Sequence, residues 1–121
     1  MDCTNIVPGA VLTNCDIFGA DLAFGDLSGT DLRGAVIAFG DLSHSDLSDA
    51  DLRGANLEWV NAANANFTNA LLNGSTLELA DLSGADLTGA DLTGANLTGT
   101  IWSQTTCPDG SISDTECPPT A

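Results

Sequence analysis

The hydrophobic pattern of the chain has a period of five. From Ala80 to Thr100 it reads ADLSG ADLTG ADLTG ANLTG T, and the same frame runs back without an insertion to Ala10, giving eighteen pentads to Gly99 and a truncated nineteenth ending at Trp102. A helix shows a period of about 3.6 and a strand a period of 2, so a period of five marks a repeating unit of another kind. With the middle residue of each pentad taken as its centre, seventeen of the nineteen centres from Leu12 to Trp102 are Leu, Ile or Phe, the exceptions being Ala62 and Trp102. The residue two before each centre is small, from Ala10, Cys15 and Ala20 to Ala95 and Thr100, and never larger than Val. One large and one small apolar residue in five are therefore expected to face inward. The residue between them is Asp or Asn in fourteen of nineteen pentads, and the two after the centre are mostly Ser, Thr, Gly or charged. Those three positions are expected to face water.

This A(D/N)LXX pattern, held from Ala10 to Trp102, resembles the pentapeptide repeat family. The resemblance implies an all-β fold, a right-handed quadrilateral β-helix with four pentads per coil. Eighteen pentads at four to a coil make about four and a half coils, a rod roughly 22 Å long at about 4.8 Å per layer. The expected organisation is an N-terminal cap over residues 1–9, the β-helix over 10–102 and a non-repeat tail over 103–121. A twenty-residue coil stacks positions twenty apart, and the residues obey this: Phe39, Trp59 and Leu79 share the last pentad position at that spacing, as do Arg33 and Arg53 the position before it. Val60 and Ala62 exchange the large and small inward residues within one pentad, conserving volume as a packed core requires. Residues 1–9 break the repeat and offer Ile6, Val7 and Pro8 as apolar cover for the first coil, while Trp102 is placed to plug the other end.

Two basic against seventeen acidic residues give a net charge of −15, which argues against nucleic-acid binding and against adhesion to an anionic membrane. No apolar run approaches the ~20 residues that cross a bilayer, so membrane insertion is not expected. Nothing at Met1 reads as a signal peptide. Of the four cysteines, Cys107 and Cys117 lie among Pro108, Asp109, Gly110, Pro118 and Pro119 and are the favoured pair; closing that loop contributes about 3 kcal/mol on the chain-entropy estimate. Cys3 and Cys15 form a second bond, or Cys15 is a buried thiol in place of Ala, and three full pairings stay open. A tail disulfide favours an oxidising compartment. The stretch WSQTTCPDG resembles the ending of many exported pentapeptide repeat proteins, which implies an extracytoplasmic location: periplasm, thylakoid lumen or secreted. On that expectation a signal peptide lies outside this chain.

The residue before each centre forms an outward column on each side. Asp21, Asp41, Asn61 and Asp81 make one; Asp26, Asp46, Asn66 and Asp86 a second; Asp31, Asp51 and Asp91, interrupted by Leu71, a third. The fourth, Asp16, Val36, Asn56, Thr76 and Asn96, carries least charge, and beside it run Phe39, Trp59 and Leu79 with Phe18 near their start. Asp and Asn are expected to satisfy turn backbone. The aromatic column is a candidate interaction face, to be covered either by a partner or by the chain's own N-terminal segment or tail. His44 is the lone histidine, and no His/Cys cluster has metal-ligand spacing, so catalysis, a metal and a cofactor are not expected. The calcium-binding glycine-rich nonapeptide is missing, the sequons at Asn66, Asn73 and Asn96 arise readily in Asn/Thr-rich repeats, and the hydroxyl column Ser28, Ser48, Thr68, Thr88 is a single rank, too narrow for an ice-binding surface.

The reading is a non-catalytic structural or protein-binding module with an unknown protein partner, monomeric or dimeric through the aromatic face. The alternative, implied by relatives linked to quinolone resistance, is an acidic DNA mimic that inhibits a type II topoisomerase. Carboxylates stacked about 4.8 Å apart repel one another, so added salt is expected to raise the melting temperature at neutral pH. A transition that does not move with salt would count against the stacked columns.

Overall fold

Residues 2–118 are described in a computed structural model, and the twenty-residue lap is its organising feature. The residue before each centre pairs in parallel with the residue twenty further on, in sixteen bridges from Val11↔Asp31 to Asp86↔Thr106. Four turns fill each lap. In each, the N–H three residues after a centre donates to the centre's C=O, as Cys15 does to Leu12 at 3.1 Å. The third residue of every turn, each fifth position from Gly9 to Gln104, has positive φ, which is the type II signature and explains why Gly and Asn recur there. Each side of the lap thus offers a single bridging residue between turns. Among the described residues only two segments form regular strands, β1 (Thr105–Thr106) and β2 (Ile112–Ser113), paired antiparallel.

Backbone bonding between laps follows one rule. The centre and the residue two after it donate downward, Leu12 to Asp31 at 2.7 Å and Asn14 to Arg33 at 2.8 Å, and the bridging residue donates upward, Asp31 to Ala10 at 2.9 Å. With the turn bond, four of five N–H groups have main-chain acceptors. The fifth, on the residue just after the centre, has none in this scheme. In all fourteen pentads with Asp or Asn before the centre, that side chain's Oδ1 accepts it at 2.9 to 3.3 Å, and Thr76 supplies its hydroxyl in the same way. The residue so capped often returns a second bond. The hydroxyls of Ser28, Ser43, Ser48, Thr88 and Thr93 donate to the same aspartates, and Arg33 and Arg53 donate to Asp31 and Asp51.

The interior is a stack of mostly apolar side chains. Centres from Leu27 to Leu87 and the small residues between them are buried, including Val60, Ala62 and Phe67. Space is tight enough to require glycine at Gly40, where a Cβ would stand 2.8 Å from the Ile37 carbonyl and 3.2 Å from that of Ala20. Hydroxyls at the small position are satisfied locally: Thr30, Ser45 and Ser75 donate to the carbonyls of Leu27, Leu42 and Leu72.

The lap bonding runs further at both ends than the pentad pattern indicates. Val7–Pro8–Gly9–Ala10 is already a corner, with Ala10 donating to Val7 and Gly9 to Ser28 at 2.9 Å, so residues 7–9 belong to the coil rather than to a cap. Beyond Trp102 the turn closes on Thr105, Thr106 bridges Asp86, and Cys107 is buried in the place of a centre. The solenoid therefore includes residues 103–107, and Trp102 is a wall of the last turns rather than a terminal plug. Met1 and residues 119–121, the outer ends of the expected cap and tail, lie outside the described residues. Both Cys3–Cys15 and Cys107–Cys117 are bonded, which settles the open pairing and removes the reading of Cys15 as a thiol. The first bond pins residues 2–6, with Cys3 and Ile6 packed on the core. The second draws the C-terminal segment across Leu92 and Leu97, while β2 continues the sheet edge below β1.

Two outcomes test the capping scheme. Asp46→Asn keeps the Oδ1 acceptor and is expected to be near neutral, whereas Asp46→Ala leaves the Ser48 N–H without its partner and costs about 1 kcal/mol by urea denaturation; equal losses for the two would overturn the scheme. Acid supplies the other. Asp26, Asp41 and Asp91 are held below the ordinary carboxylate range by the hydroxyls of Ser28, Ser43 and Thr93, Asp91 at about 2, and Asp31 and Asp51 are lowered by Arg33 and Arg53. Their contribution is complete above an unfolded aspartate's value of about 3.9 and is lost as the pH falls through the lower folded values. Melting temperature is expected to hold above about pH 5 and fall toward pH 2; a rise over that interval would show repulsion outweighing the caps.

Candidate interaction face

The acidic columns stand where twenty-residue arithmetic puts them. Asp21 pairs with Asp41, Asp26 with Asp46, Asp31 with Asp51, and the series continue through Asn61 to Asp81, Asn66 to Asp86, and Leu71 to Asp91. Their chemistry, however, is turned inward on the turns, each carboxylate holding the N–H two residues on. Arg33 and Arg53 neutralise one column: Arg33 lies 2.7 Å from Asp31 and 3.8 Å from Asp51, and Arg53 2.6 Å from Asp51.

No group of three or more His, Cys, Asp or Glu among the described residues is arranged to hold a metal ion. Ser43, His44 and Asp46 do not converge on one another. The Ser43 hydroxyl donates to Asp41 at 2.6 Å, Asp46 binds Ser48, and the His44 ring stacks on Phe24 with centroids 4.7 Å apart. Sequon residues Asn66 and Asn96 are engaged as caps to Thr68 and Thr98, and the Ser75 that follows Asn73 is buried. A cavity of about 330 Å³ lies at the C-terminal end, between Leu92 and Leu97 and Pro108, Cys117 and Pro118, and none of Phe18, Phe39, Trp59 and Leu79 lines it. No helix among the described residues is long and apolar enough to cross a membrane.

Two corners of the coil carry rings at the turn position, Phe24 with His44 at one and a longer column at the other. Phe18 packs on Phe39 at 5.4 Å between ring centroids, and Phe39 stacks on Trp59 at 6.1 Å with planes 15° apart. Leu79 follows on the next lap and overhangs Gly99, whose added Cβ would fall 2.7 Å from its Cδ2. The column is open to solvent, with Phe39 56% and Trp59 51% exposed. The described residues of the chain's own ends leave it uncovered: Cys3 and Ile6 pack on the core, and Glu116, Cys117 and Pro118 border a cavity with Leu92 and Leu97. Phe39, Trp59 and Leu79 occupy the turn position with φ of 62°, 58° and 62°, a conformation in which a bulky L-residue is out of place and which costs roughly 1–2 kcal/mol each.

Immediately before Trp59 and Leu79 stand Glu58 and Glu78, the two glutamates of the repeat region. Their carboxylates have no hydrogen-bond or ion-pair partner among the described residues. The sequence signal for them is that this position carries an acid only at Glu58 and Glu78, being Ser, Thr, Ala, Arg, Asn or Phe in the other full pentads.

Comparison with known proteins agrees with this architecture. The model of pentapeptide repeats matches in eight copies over residues 6–34, 30–68 and 63–99. Among solved structures, a pentapeptide repeat protein of the Arabidopsis thaliana thylakoid lumen is 30% identical, with 86% of this chain and 72% of that one covered and a TM-score of 0.83. The pentapeptide repeat protein Rfr23 of the cyanobacterium Cyanothece 51142 is 41% identical over 74% of this chain and 58% of its own, with a TM-score of 0.41. QnrB1, a plasmid-mediated fluoroquinolone resistance protein, shares the fold at 20% identity and a TM-score of 0.65, over 87% of this chain and 65% of that one. No curated protein matches the chain. On the repeat match and the thylakoid-lumen relative together, this chain belongs to the pentapeptide repeat family.

Proposed function

We propose that this protein is a non-catalytic, extracytoplasmic protein-binding module, a short right-handed quadrilateral coil of about five laps from Val7 to Cys107 that presents Phe18, Phe39, Trp59 and Leu79 to a partner. The observation that carries the reading is the placement of three bulky apolar side chains, exposed, at turn positions that favour glycine. Phe24 makes the same turn singly at another corner, but only here do such residues follow one another on three successive laps, and backbone strain held at an exposed site is a mark of function when nothing in the fold demands it. The opposed corner, with the same turn geometry, is built from Gly29, Asp49, Asn69 and Gly89, so the coil itself does not demand aromatic residues at such a turn. Two disulfides and likeness to a thylakoid-lumen protein support an oxidising compartment. The alternative, DNA mimicry, draws on the net charge of −15; the engagement of the column aspartates as turn caps gives that charge a structural origin and weakens the case for it.

Trp59→Gly tests the reading. Glycine adopts φ of 58° without strain, so loss of the exposed ring is expected to change stability by no more than about 1 kcal/mol, the relief of the left-handed conformation offsetting lost stacking. A loss of about 3 kcal/mol or more, the scale for truncating a buried aromatic, would show that Trp59 is retained for packing and would remove the interaction face.

A further inference from the structure

Two unfavourable features meet at the aromatic corner, and together they specify a partner. Apolar side chains are held in strained turns, and beside them two carboxylates are stacked without a counter-ion. Glu58 and Glu78 lie on successive laps joined by the Asn56↔Thr76 bridge, where like charges on paired strands repel. The third acidic column has the same ladder spacing, and there the chain provides its own cations: Arg33 and Arg53 lie within 4 Å of Asp31 and Asp51. Nothing comparable reaches Glu58 or Glu78, although Phe39, Trp59 and Leu79 beside them lower the local dielectric and would strengthen an ion pair formed on contact. On the other flank of the ridge runs the column of Asp21, Asp41 and Asp81, so apolar side chains project between two negative rows.

We infer that this corner docks a cationic amphipathic segment of a partner polypeptide, Lys or Arg side chains meeting Glu58 and Glu78 while apolar side chains pack on Phe39, Trp59 and Leu79. The inference rests on the interaction-face reading and adds the chemistry of the partner. Charge complementarity selects the occupant. A second copy would bring another net charge of −15 against the same corner, and nucleic acid or an anionic bilayer is repelled for the same reason. A cationic segment relieves the stacked carboxylates and covers the apolar column at once.

Calorimetric titration of the full disulfide-bonded chain with a synthetic peptide of equal Lys and Leu content, amphipathic as a helix, tests it at 0.15 M salt. Glu58→Gln/Glu78→Gln is expected to weaken binding at least tenfold, and Phe39→Gly/Trp59→Gly to weaken it comparably. Asp46→Asn/Asp86→Asn, which removes the same charge from another side while keeping the turn acceptors, should change it less than threefold. Equal weakening by the two charge-removing pairs would show diffuse attraction and overturn the proposal. So would undiminished binding of a Glu/Leu peptide, or no binding of the Lys/Leu peptide. Self-association of the unmodified chain that Trp59→Asp abolishes would overturn the cationic partner in favour of a second copy. Each of these results leaves the interaction face itself standing, because that reading fails separately, on the stability of Trp59→Gly.

Discussion

Each pentad has one backbone N–H that the coil cannot satisfy from its own main chain, and the side chain just before the centre satisfies it. Much else about the molecule follows from this. The acceptor must be short, so that it reaches the N–H two residues on, and it must carry an oxygen, which leaves Asp, Asn and occasionally Thr. Ten aspartates and four asparagines do this work. Turn closure requires an acceptor at this position, and the chain meets that requirement with Asp more often than with Asn, which places much of the acidic surface on the turn caps. At Asp51 the guanidinium of Arg53 holds the carboxyl below its ordinary range and opposes the repulsion from the stacked Asp31.

Positions well inside the repeat were legible by arithmetic alone. Arg33 reaching Asp51, Phe39 stacking on Trp59 and Leu79 overhanging Gly99 all follow from a lap of twenty, because lap length is set by four identical turns and no insertion interrupts them. The ends were not legible, for a physical reason. The pattern reports burial, and at the first corner there is no preceding lap to bury anything: Val7 stands in a centre's place yet is 45% exposed. Pro8–Gly9, a favoured central pair for a type II turn, was the signal that could have extended the coil. At the other end Thr105, Thr106 and Cys107 replace Ala, Asp and Leu, so backbone register persists after the side-chain code has stopped. Cys15 was ambiguous because a half-cystine and an alanine both fit the small inward position; only the fold of residues 2–6 brings Cys3 to it.

The candidate face was half legible. Its apolar members were found because they lie twenty apart. What could not be read was the conformation they occupy, since period five identifies a turn position without giving the sign of φ there. Glu58 and Glu78 were equally silent: among seventeen acidic residues two carboxylates draw no notice until the column aspartates are seen to be engaged as turn caps.

Stability alone does not account for this corner. Three bulky residues in left-handed turns cost roughly 1–2 kcal/mol each, and the contact between two stacked rings returns about 0.5–1.5 kcal/mol. The exposed faces of Phe39 and Trp59 recover little more, because half of each remains in water. At the adjacent corner, one turn earlier, Asn14, Gly34, Gly54, Gly74 and Gly94 make the same turns with residues suited to them. Where the coil is free to use Gly or Asn and instead holds Phe, Trp and Leu beside two unpaired glutamates, the sequence at that corner answers to something outside the coil. A partner that brings both apolar surface and positive charge is the one that removes both penalties together.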